Sequence, residues 1–506
     1  MVRSRFLSVE AGLALLASIA HVQASDILPR ETPECCEALQ LAGLEHVYFP
    51  GDEDYENQIE SYFSLTAQLT PYCIVEPEST QDVSTIVTTL VLQTSCNFAV
   101  RSGGHSSNAG ASNIEEGVTI DLNRMNETTY DEAEGVASLH PAARWLGVYR
   151  YLDPLGVTVT GGRLGPVGVG GLVLGGGFSF YLYEKGLVCD NVRNFEVVLA
   201  SGEIVNANAN ENADLWIVLR GGRSNFGIVT RIDLEAFPRS PIWGGVNRYP
   251  STPETVEQHI SSIVDWTDNL EKYQNGSAVI FWTHTPADNA TVINSLLTDV
   301  GGTVAAPAFD KFLAIPGNTS SSLGMTNMST LALFTQSDGY QDVWFTLTFK
   351  NDARVMRNAL ELHDSLVEDM KQISPDGDWE TQSLFQPFPT IAAKHSTERG
   401  GNILGIDAIE DNAVIWQGCF AVNSVEKETI GRQKMEAWKE AIEEYSRSIG
   451  AYIGYRYSNW ADQSQDVLRF YGEESIRKMR AVSEKYDSEG VFQTRVPGDF
   501  KLPKAL

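Results

Sequence analysis

Two segments rich in glycine constrain the fold of this chain more than any other feature of its sequence. The first is Arg101-Ser102-Gly103-Gly104-His105-Ser106, which follows a short strand-like run over 98–101. The second spans 161–177 and contains nine glycines in seventeen positions. Glycine weakens helices and strands, so this density is typical of backbone that approaches another group closely. We therefore expect two loops whose amides lie against a ligand, with tight surface turns as the alternative interpretation of either loop alone.

The common nucleotide-binding and metal-binding motifs are absent from the sequence. No G-x-G-x-x-G opens a helix with an acidic residue about twenty positions later, and there is no Walker loop. No Cys-x-x-Cys pair or Cys/His cluster has zinc spacing, so we predict no metal site. A dinucleotide bound at the glycine-rich loops therefore requires a fold other than the Rossmann fold.

The remaining sequence predicts an α+β fold. Between Pro71 and Pro238, glycine-rich turns separate short strand-like runs, and 81–94 has helical periodicity. Beyond Pro238, glycine becomes scarcer and β-rich runs such as 343–349 alternate with amphipathic helices. Strands and helices in separate runs favour an antiparallel sheet with helices on one face. We expect helices over 352–372, 426–448 and 474–486, and a strand over 452–460.

Charge and the N-terminus indicate the cellular setting. The chain has 37 basic and 66 acidic residues, a formal net charge of −29 that disfavours nucleic acid and anionic membranes as partners. Arg3 and Arg5 precede an apolar stretch that ends in small residues, so 1–24 is predicted to be a secretory signal peptide cleaved before Ser25. An N-terminal anchor helix is the alternative. We expect a monomer that is secreted or lies in the lumen of the secretory pathway, with no membrane span after cleavage.

The cysteines and glycosylation motifs are typical of the same compartment. Cys35, Cys36, Cys73 and Cys96 lie in the N-terminal quarter of the chain. In an oxidising lumen they can form up to two disulfides, with three connectivities that the sequence leaves open. Motifs that allow N-glycosylation occur at Asn126, Asn275, Asn289, Asn318 and Asn327.

Several motifs, in order, resemble one flavoenzyme family. RSGGHS, VGVGGLVLGGG, KGLVCDNV, NFEVVLASGEIV and NFGIVTR resemble the PCMH-type FAD-binding domain of the vanillyl-alcohol-oxidase superfamily. YSNWAD, FYG and KYDSEGVF resemble the closing segment of its berberine-bridge-enzyme-like branch, as found in fungi. The resemblance implies a two-part FAD domain over 25–240 and a substrate domain over 241–454. It also implies a C-terminal segment, 455–506, that returns to the FAD domain.

The resemblance assigns the residues that bind FAD. In the family, the RSGGH loop wraps the FAD pyrophosphate and its histidine is bonded to the flavin 8α-methyl carbon, a role that falls here on His105. An imidazole beside a phosphate-bearing ligand can act as a nucleophile, whereas a lone histidine is more often a hydrogen-bonded core residue. The other residues implied to bind FAD are Arg101, Ser102, Gly103, Gly104, Ser106, Gly168, Gly170, Gly171, Gly175, Gly176, Gly227, Ile228, Val229 and Asn459.

Two further positions bear on how the flavin is attached and reoxidised. Some relatives have a second covalent link from a cysteine where this chain has Leu164, so the resemblance implies attachment through His105 only. Val167 falls at the position that borders the path of dioxygen to the flavin, where valine accompanies oxidases in the family. The resemblance therefore implies dioxygen as the electron acceptor, with simple packing beneath the ring as the alternative role of Val167.

The C-terminal motif supplies the candidate bases. The family pattern Tyr-x-Asn-Tyr-x-Asp aligns with 457–462, and relatives place its leading tyrosine, here Tyr457, where it helps to remove a substrate proton. A free phenol has a pKa near about 10, so we expect the site to lower the pKa of Tyr457. Tyr455 is the second candidate because alternate residues share a strand face, which would turn Arg456 away from both. A structural aromatic strand is the alternative, and Trp460 departs from the usual tyrosine.

The sequence therefore predicts an FAD-dependent oxidase that takes a hydride from a small organic molecule, in secondary metabolism. A carbohydrate oxidase ranks second, since the same scaffold supports it but those enzymes often use the double attachment that Leu164 excludes. Two more functions stay open from the sequence, namely a flavin-bound cyclase without net redox chemistry and a secreted flavin-binding protein without turnover.

Overall fold

The computed structural model describes residues 33–333 and 339–504, which fold into three β-sheets and their covering helices. The predicted signal peptide, 1–24, lies outside the described residues. In the part of the chain that is described, none of the helices combines the length and the apolar character needed to cross a bilayer.

The first sheet is small and mostly parallel, and it holds the first glycine-rich loop. Its strands run in the order Val47–Tyr48, Cys73–Val75, Val118–Asp121 and Phe98–Arg101, the last three parallel to one another. Helix Thr80–Gln93 begins with a capping box between Ser79 and Asp82. The apolar face of this helix shares a buried cluster with the sheet. This packing fixes the direction in which Phe98–Arg101 delivers the loop.

Two disulfides tie the N-terminal helix Glu34–Leu41 to this first sheet. They join Cys35 to Cys96 and Cys36 to Cys73, which selects one of the three connectivities that the sequence allows. Cys35, Cys36 and Cys73 are fully buried in the cluster around the sheet, and Cys96 is partly buried against it. The cross-links therefore stabilise the support of the first glycine-rich loop.

The second sheet is antiparallel and lies next to the second glycine-rich segment. Its strands run in the order Thr128–Asp131, Val136–Leu139, Ile228–Pro238, Val192–Val198 and Ile204–Asn208, and Val157–Val159 pairs with the end of Ile228–Pro238. The hairpin expected at Ser201-Gly202 joins Val192–Val198 to Ile204–Asn208, so that prediction is confirmed.

The third sheet has nine antiparallel strands and contains every described strand between 242 and 453. The strand order is Ser320–Ser321, Ile242–Pro250, Ala290–Asp299, Gly276–Thr285, Trp379–Phe388, Ala413–Val422, Gln341–Lys350 and Tyr452–Ile453, and Gly324–Thr326 also pairs with Ile242–Pro250. The division of the chain at 240 and 454 into domains stays a prediction.

Helices Pro253–Asn269, Ala353–Ile373 and Val425–Ser448 cover one face of this third sheet. Trp438 of the last helix meets Trp416 of the sheet edge to face, with 4.7 Å between ring centroids. Because successive side chains of a strand point to opposite faces, the neighbouring Gln417 projects away from the helices. The predicted α+β fold with a helix-covered antiparallel sheet is confirmed, and the uncovered face is left to form a site.

The three helices expected over 352–372, 426–448 and 474–486 are present as Ala353–Ile373, Val425–Ser448 and Glu473–Tyr486, each within one residue of its predicted bounds. Helix Thr80–Gln93 matches its prediction equally closely. The remaining helices are Glu34–Leu41, Glu53–Glu60, Trp145–Leu152, Val169–Leu174, Leu182–Lys185, Ala213–Leu219, Asp310–Leu313, Met328–Leu331, Thr390–Glu398 and Val491–Thr494.

The strand expected over 452–460 is wrong for most of its length. Only Tyr452–Ile453 pairs with the sheet, and Ser458–Trp460 forms a single 3₁₀ turn. The aromatic side chains that suggested a strand pack instead into one buried cluster. Tyr455 stacks against Phe388 and Tyr457 against Phe178, and the rings of Phe178 and Phe388 lie 6.0 Å apart. Burial of aromatic rings, rather than strand pairing, determines the path of this segment.

Candidate active site

The two glycine-rich loops meet backbone to backbone. A Cβ added to Gly168 would lie 2.5 Å from the Cα of Gly103, and a Cβ added to Gly103 would be equally close to Gly168. The carbonyl of Pro141 accepts hydrogen bonds from Ser102 Oγ at 2.5 Å and from the Gly170 N–H at 2.9 Å. One carbonyl therefore holds both loops, and no residue with a side chain fits at their contact.

A cavity of about 310 Å³ opens beside this contact, between the loops and the uncovered face of the third sheet. On the loop side its wall includes most of the residues that the sequence predicted for FAD, namely Ser102, Gly103, Gly104, His105, Ser106, Gly168, Gly170, Gly171, Gly227, Ile228, Val229 and Asn459. Val167, Leu164 and Tyr457 line the same cavity. The structure thus brings the two loops, His105 and the first candidate base to one place.

The loop side of the cavity has the donors that a diphosphate requires. The backbone N–H groups of Gly103, Gly104 and Ser106 donate to no acceptor within the described residues. A Cβ added at Gly171 would meet nothing within 4 Å, so the backbone there faces open space. Free backbone amides on the wall of a cavity can bind anionic oxygens. These residues therefore fit the diphosphate of FAD.

Four predicted site residues lie outside the cavity wall, namely Arg101, Gly175, Gly176 and Tyr455. Arg101 is buried and paired with Asp121 at 3.0 Å, so it supports the first sheet. A Cβ at Gly175 would lie 2.1 Å from Asn459 Oδ1, and one at Gly176 would meet Leu404 at 3.0 Å. Both glycines admit neighbouring protein groups. Tyr455 stacks against Phe388 and Tyr471.

The imidazole of His105 is held between two aromatic rings. It stacks on Phe63 with 4.1 Å between ring centroids and lies edge-on to Trp344 at 6.4 Å. Phe63 lies between helix Glu53–Glu60 and the first sheet's strand Cys73–Val75, whereas Trp344 belongs to strand Gln341–Lys350 of the third sheet. The ring is therefore positioned by elements from both sides of the cavity.

Tyr457 is buried among aromatic rings and neutral donors. It stacks on Phe178 with 4.0 Å between centroids, and Asn459 Nδ2 donates to its hydroxyl at 3.1 Å. Burial raises the pKa of Tyr457 to about 12, although the Asn459 hydrogen bond and the charge of Arg163 act to lower it. The expectation that the protein by itself lowers this pKa is therefore wrong, because desolvation of the phenolate outweighs both neighbours.

A buried ion pair holds Asn459 in place. Arg223 donates to Asn459 Oδ1 at 2.6 Å and to Asp499 Oδ1 at 2.7 Å. Since Asp499 follows helix Val491–Thr494, the C-terminal segment reaches back to the hydrogen bond on Tyr457. No sequence pattern indicates this chain of contacts, because its members are far apart along the chain.

Sequence reasoning also missed Arg163 and the sheet side of the cavity. Arg163 lines the cavity. Its position inside the second glycine-rich segment is the sequence signal that could have identified it. Arg456, in contrast, bonds Glu443 at 2.7 Å and is turned away from Tyr457, as expected, although an ion pair rather than strand geometry is the reason. The residues on the sheet side are Val279, Phe281, Leu296, Trp344, Gln382, Leu384 and Gln417.

Comparison with known proteins shows that this chain is similar to flavoenzymes from fungi. Residues 71–208 match the sequence family described as FAD binding domain. The chain is 38% identical over 514 residues to the FAD-dependent monooxygenase drtC of Aspergillus calidoustus, which covers 98% of this chain and 96% of the relative. It is also 38% identical over 476 residues to the FAD-dependent monooxygenase sdcF of Emericella nidulans, with 93% and 98% covered.

The fold has counterparts among solved structures. BBE-like 1 of Physcomitrella patens superposes with a TM-score of 0.75 over 93% of this chain and 99% of that chain, at 20% sequence identity. Fold and cavity together define an FAD-dependent oxidoreductase. The chain belongs to the family of FAD-dependent enzymes that includes drtC and sdcF, and it shares its fold with BBE-like 1.

We predict that Gly168→Ala destabilises the protein and lowers its flavin content. The added methyl group would overlap the backbone of Gly103 and force the two loops apart, at a cost of about 1–3 kcal/mol. Gly147→Ala is the matched control, because Gly147 lies exposed in helix Trp145–Leu152 with nothing within 4 Å of the added methyl. Thermal unfolding and flavin absorbance measure both effects, and equal behaviour of the two variants would contradict the prediction.

Proposed function

We propose that this protein is an oxidase that holds FAD covalently through His105 and removes a hydride from a small organic molecule. Bound flavin supplies the electron acceptor for that hydride and passes the electrons to dioxygen, which leaves as hydrogen peroxide. The observation that carries the proposal is the single cavity that brings together His105, Val167 and Tyr457 between the glycine-rich loops and the third sheet.

The surroundings of His105 support a single covalent attachment. Stacking on Phe63 restricts the imidazole to one orientation at the cavity wall. Leu164 lines the same cavity and carries an alkyl side chain, which cannot form a thioether. Attachment through His105 alone is therefore the arrangement that these side chains favour.

Tyr457 is the proposed proton acceptor. Its hydroxyl is fixed by Asn459, and the positive charge of Arg163 acts in favour of its ionised form. With a pKa raised to about 12 by burial, Tyr457 is protonated at neutral pH in the protein alone. We therefore propose that its proton-accepting form increases as pH rises through the alkaline range.

The position of Val167 supports dioxygen as the electron acceptor. Its carbonyl accepts a hydrogen bond from the Trp145 N–H at 3.2 Å, so its backbone is fixed while its small side chain lines the cavity. A compact side chain at this point leaves room for a small molecule beside the second glycine-rich loop. This supports an oxidase rather than a dehydrogenase.

Monooxygenation is the second candidate function, favoured by the names of the two relatives at 38% identity. A monooxygenase places one oxygen atom of dioxygen in the product and releases the other as water, whereas an oxidase releases both as hydrogen peroxide. A carbohydrate oxidase fits the cavity less well, because its sheet side is mostly apolar and a sugar buried there would lack partners for its hydroxyl groups.

Secretion is part of the proposal. The disulfides Cys35–Cys96 and Cys36–Cys73 require an oxidising compartment to form and persist. Asn126, Asn289 and Asn318, within three of the glycosylation motifs, are exposed and accessible to a glycan. These features support a glycosylated protein of the secretory pathway.

The reaction class is tested with purified, flavin-loaded protein and a panel of small organic molecules. We expect a substrate to bleach the flavin absorbance without air, and air to restore it with one hydrogen peroxide per substrate oxidised. The same reaction under ¹⁸O-labelled dioxygen should give a product without label. Label in the product would establish monooxygenation instead, and product formed without bleaching or oxygen use would establish a cyclase.

The covalent link is tested with His105→Ala. We expect the flavin of the wild-type protein to remain with the polypeptide after acid precipitation, and a tryptic peptide containing His105 to gain the mass of FAD. In His105→Ala the flavin should appear in the supernatant. Flavin that stays attached in the variant, or an unmodified His105 peptide from yellow wild-type protein, would contradict the link.

The role of Tyr457 is tested through the pH dependence of anaerobic flavin bleaching. Because burial raises the pKa of Tyr457 to about 12, we expect the wild-type rate to rise with pH from 7 to 10 without a plateau. Tyr457→Phe keeps the stacking on Phe178 but should lower the rate by about 10²–10⁴-fold and remove the rise. Tyr455→Phe separates the two candidate bases, and a loss of the rise in that variant alone would assign the base to Tyr455.

A further inference from the structure

Formal charge is scarce on the wall of the cavity. Among the described residues that line it, Arg163, Arg223 and Asp499 are the only ones whose side chains carry a formal charge at neutral pH with histidine neutral. Arg223 and Asp499 neutralise each other through their ion pair. Arg163 forms no ion pair with any carboxylate in residues 33–333 and 339–504, so it supplies the one uncompensated charge of this wall.

Neutral neighbours hold the Arg163 guanidinium in one place. Its NH1 group donates to Gln386 Oε1 at 2.6 Å, and Gln386 Nε2 donates in turn to the hydroxyl of Tyr183 at 2.9 Å. The guanidinium carbon lies 5.9 Å from the centre of the Phe178 ring, beside Tyr457. An arginine has five N–H donors, so most of them remain for a ligand in the cavity.

Arg163 is partly exposed on the cavity wall, so a ligand that displaces water from the cavity without an opposite charge makes this arrangement costly. A charge removed from water is destabilising when no opposite charge or full set of hydrogen bonds replaces the solvent. A single amide oxygen does not neutralise a guanidinium. An anionic oxygen does so, and planar guanidinium groups bind such oxygens through two parallel hydrogen bonds.

The sheet side of the cavity, which faces Arg163 and the glycine-rich loops, is neutral and mainly apolar. Phe281, Leu384 and Trp344 supply hydrocarbon and aromatic surface, and Trp460 meets Phe178 edge to face at 5.2 Å. Gln417 is 3% exposed and its side-chain amide forms no hydrogen bond with the described residues. A buried amide without a partner that lines a cavity is a second, independent sign of a polar group on the ligand.

We propose that the substrate is a largely apolar molecule with one ionised oxygen group, and that Arg163 binds this group. This inference rests on the proposed function, since it describes the molecule that enters the same cavity. The aromatic and aliphatic wall binds the body of the molecule, and Gln417 bonds a hydroxyl or carbonyl on it. Arg163 is thus a specificity-determining residue that selects acids over neutral molecules of the same shape.

Binding of two matched probes tests the selection. 2-Naphthoate and 2-acetonaphthone have similar size and shape, but only the first is ionised at pH 7. We expect calorimetry on the flavin-loaded protein to show naphthoate binding tighter by at least about tenfold. In Arg163→Gln the preference should fall to about onefold to twofold, with the affinity for the ketone nearly unchanged, and Arg163→Lys should keep part of it.

Control variants make each outcome decisive. Arg357→Gln removes an exposed arginine paired with Glu257 on a covering helix, so it changes net charge equally and should leave the preference unchanged. Equal binding of both probes by the wild-type protein, or an undiminished preference in Arg163→Gln, overturns the proposal. If Arg163→Gln keeps the preference for naphthoate and instead shifts the reduction potential of the flavin, the result would assign Arg163 to the flavin. Because binding needs no turnover, these results are independent of whether peroxide is formed.

Discussion

The contact between Gly103 and Gly168 is the constraint on which the rest of the site depends. It joins a loop that leaves a parallel strand to a loop that enters helix Val169–Leu174, and both are bonded to the carbonyl of Pro141. Because neither glycine can carry a side chain, the loops approach to backbone distance and their remaining amides turn to one cavity. His105 and Val167 are next to this contact in sequence, so their positions follow from it.

Burial dominates the electrostatics of the cavity. It raises the pKa of Tyr457 and lowers the pKa of Arg163, since each charged form is removed from water. Each of these two groups nevertheless favours the charged form of the other. Exclusion of water by a ligand strengthens this mutual effect, because charges interact more strongly in a less polar medium. An anionic group bound to Arg163 acts in the opposite direction, because it offsets the positive charge that favours the ionised form of Tyr457. The protonation of Tyr457 in the working enzyme therefore depends on the ligand as much as on the protein.

The loop side of this site could be predicted from the sequence, whereas the sheet side could not. The glycine density around 103 and 168 reflects local backbone demands, which short sequence windows record. Even there, Gly175 is required because the side chain of Asn459 packs against it, and Asn459 is far away along the chain. Gln417 and Trp344 reach the cavity through strand order in a nine-stranded sheet, which no single segment encodes. The aromatic run after Ile453 has the composition of a strand, but the ring packing that decides its path is equally non-local.

The third sheet separates stability from specificity along each strand. Phe281, Leu384 and Gln417 are direct cross-strand neighbours and form one row that faces the cavity. The residues that alternate with them, such as Trp416, pack beneath the covering helices. Since opposite faces of a strand are independent to a first approximation, substitutions in the cavity row can change the shape and polarity of the site without disturbing the helix-packed core. The glycine-rich loops come from other sheets, so changes confined to this row can alter which molecule the cavity accepts and leave those loops unchanged.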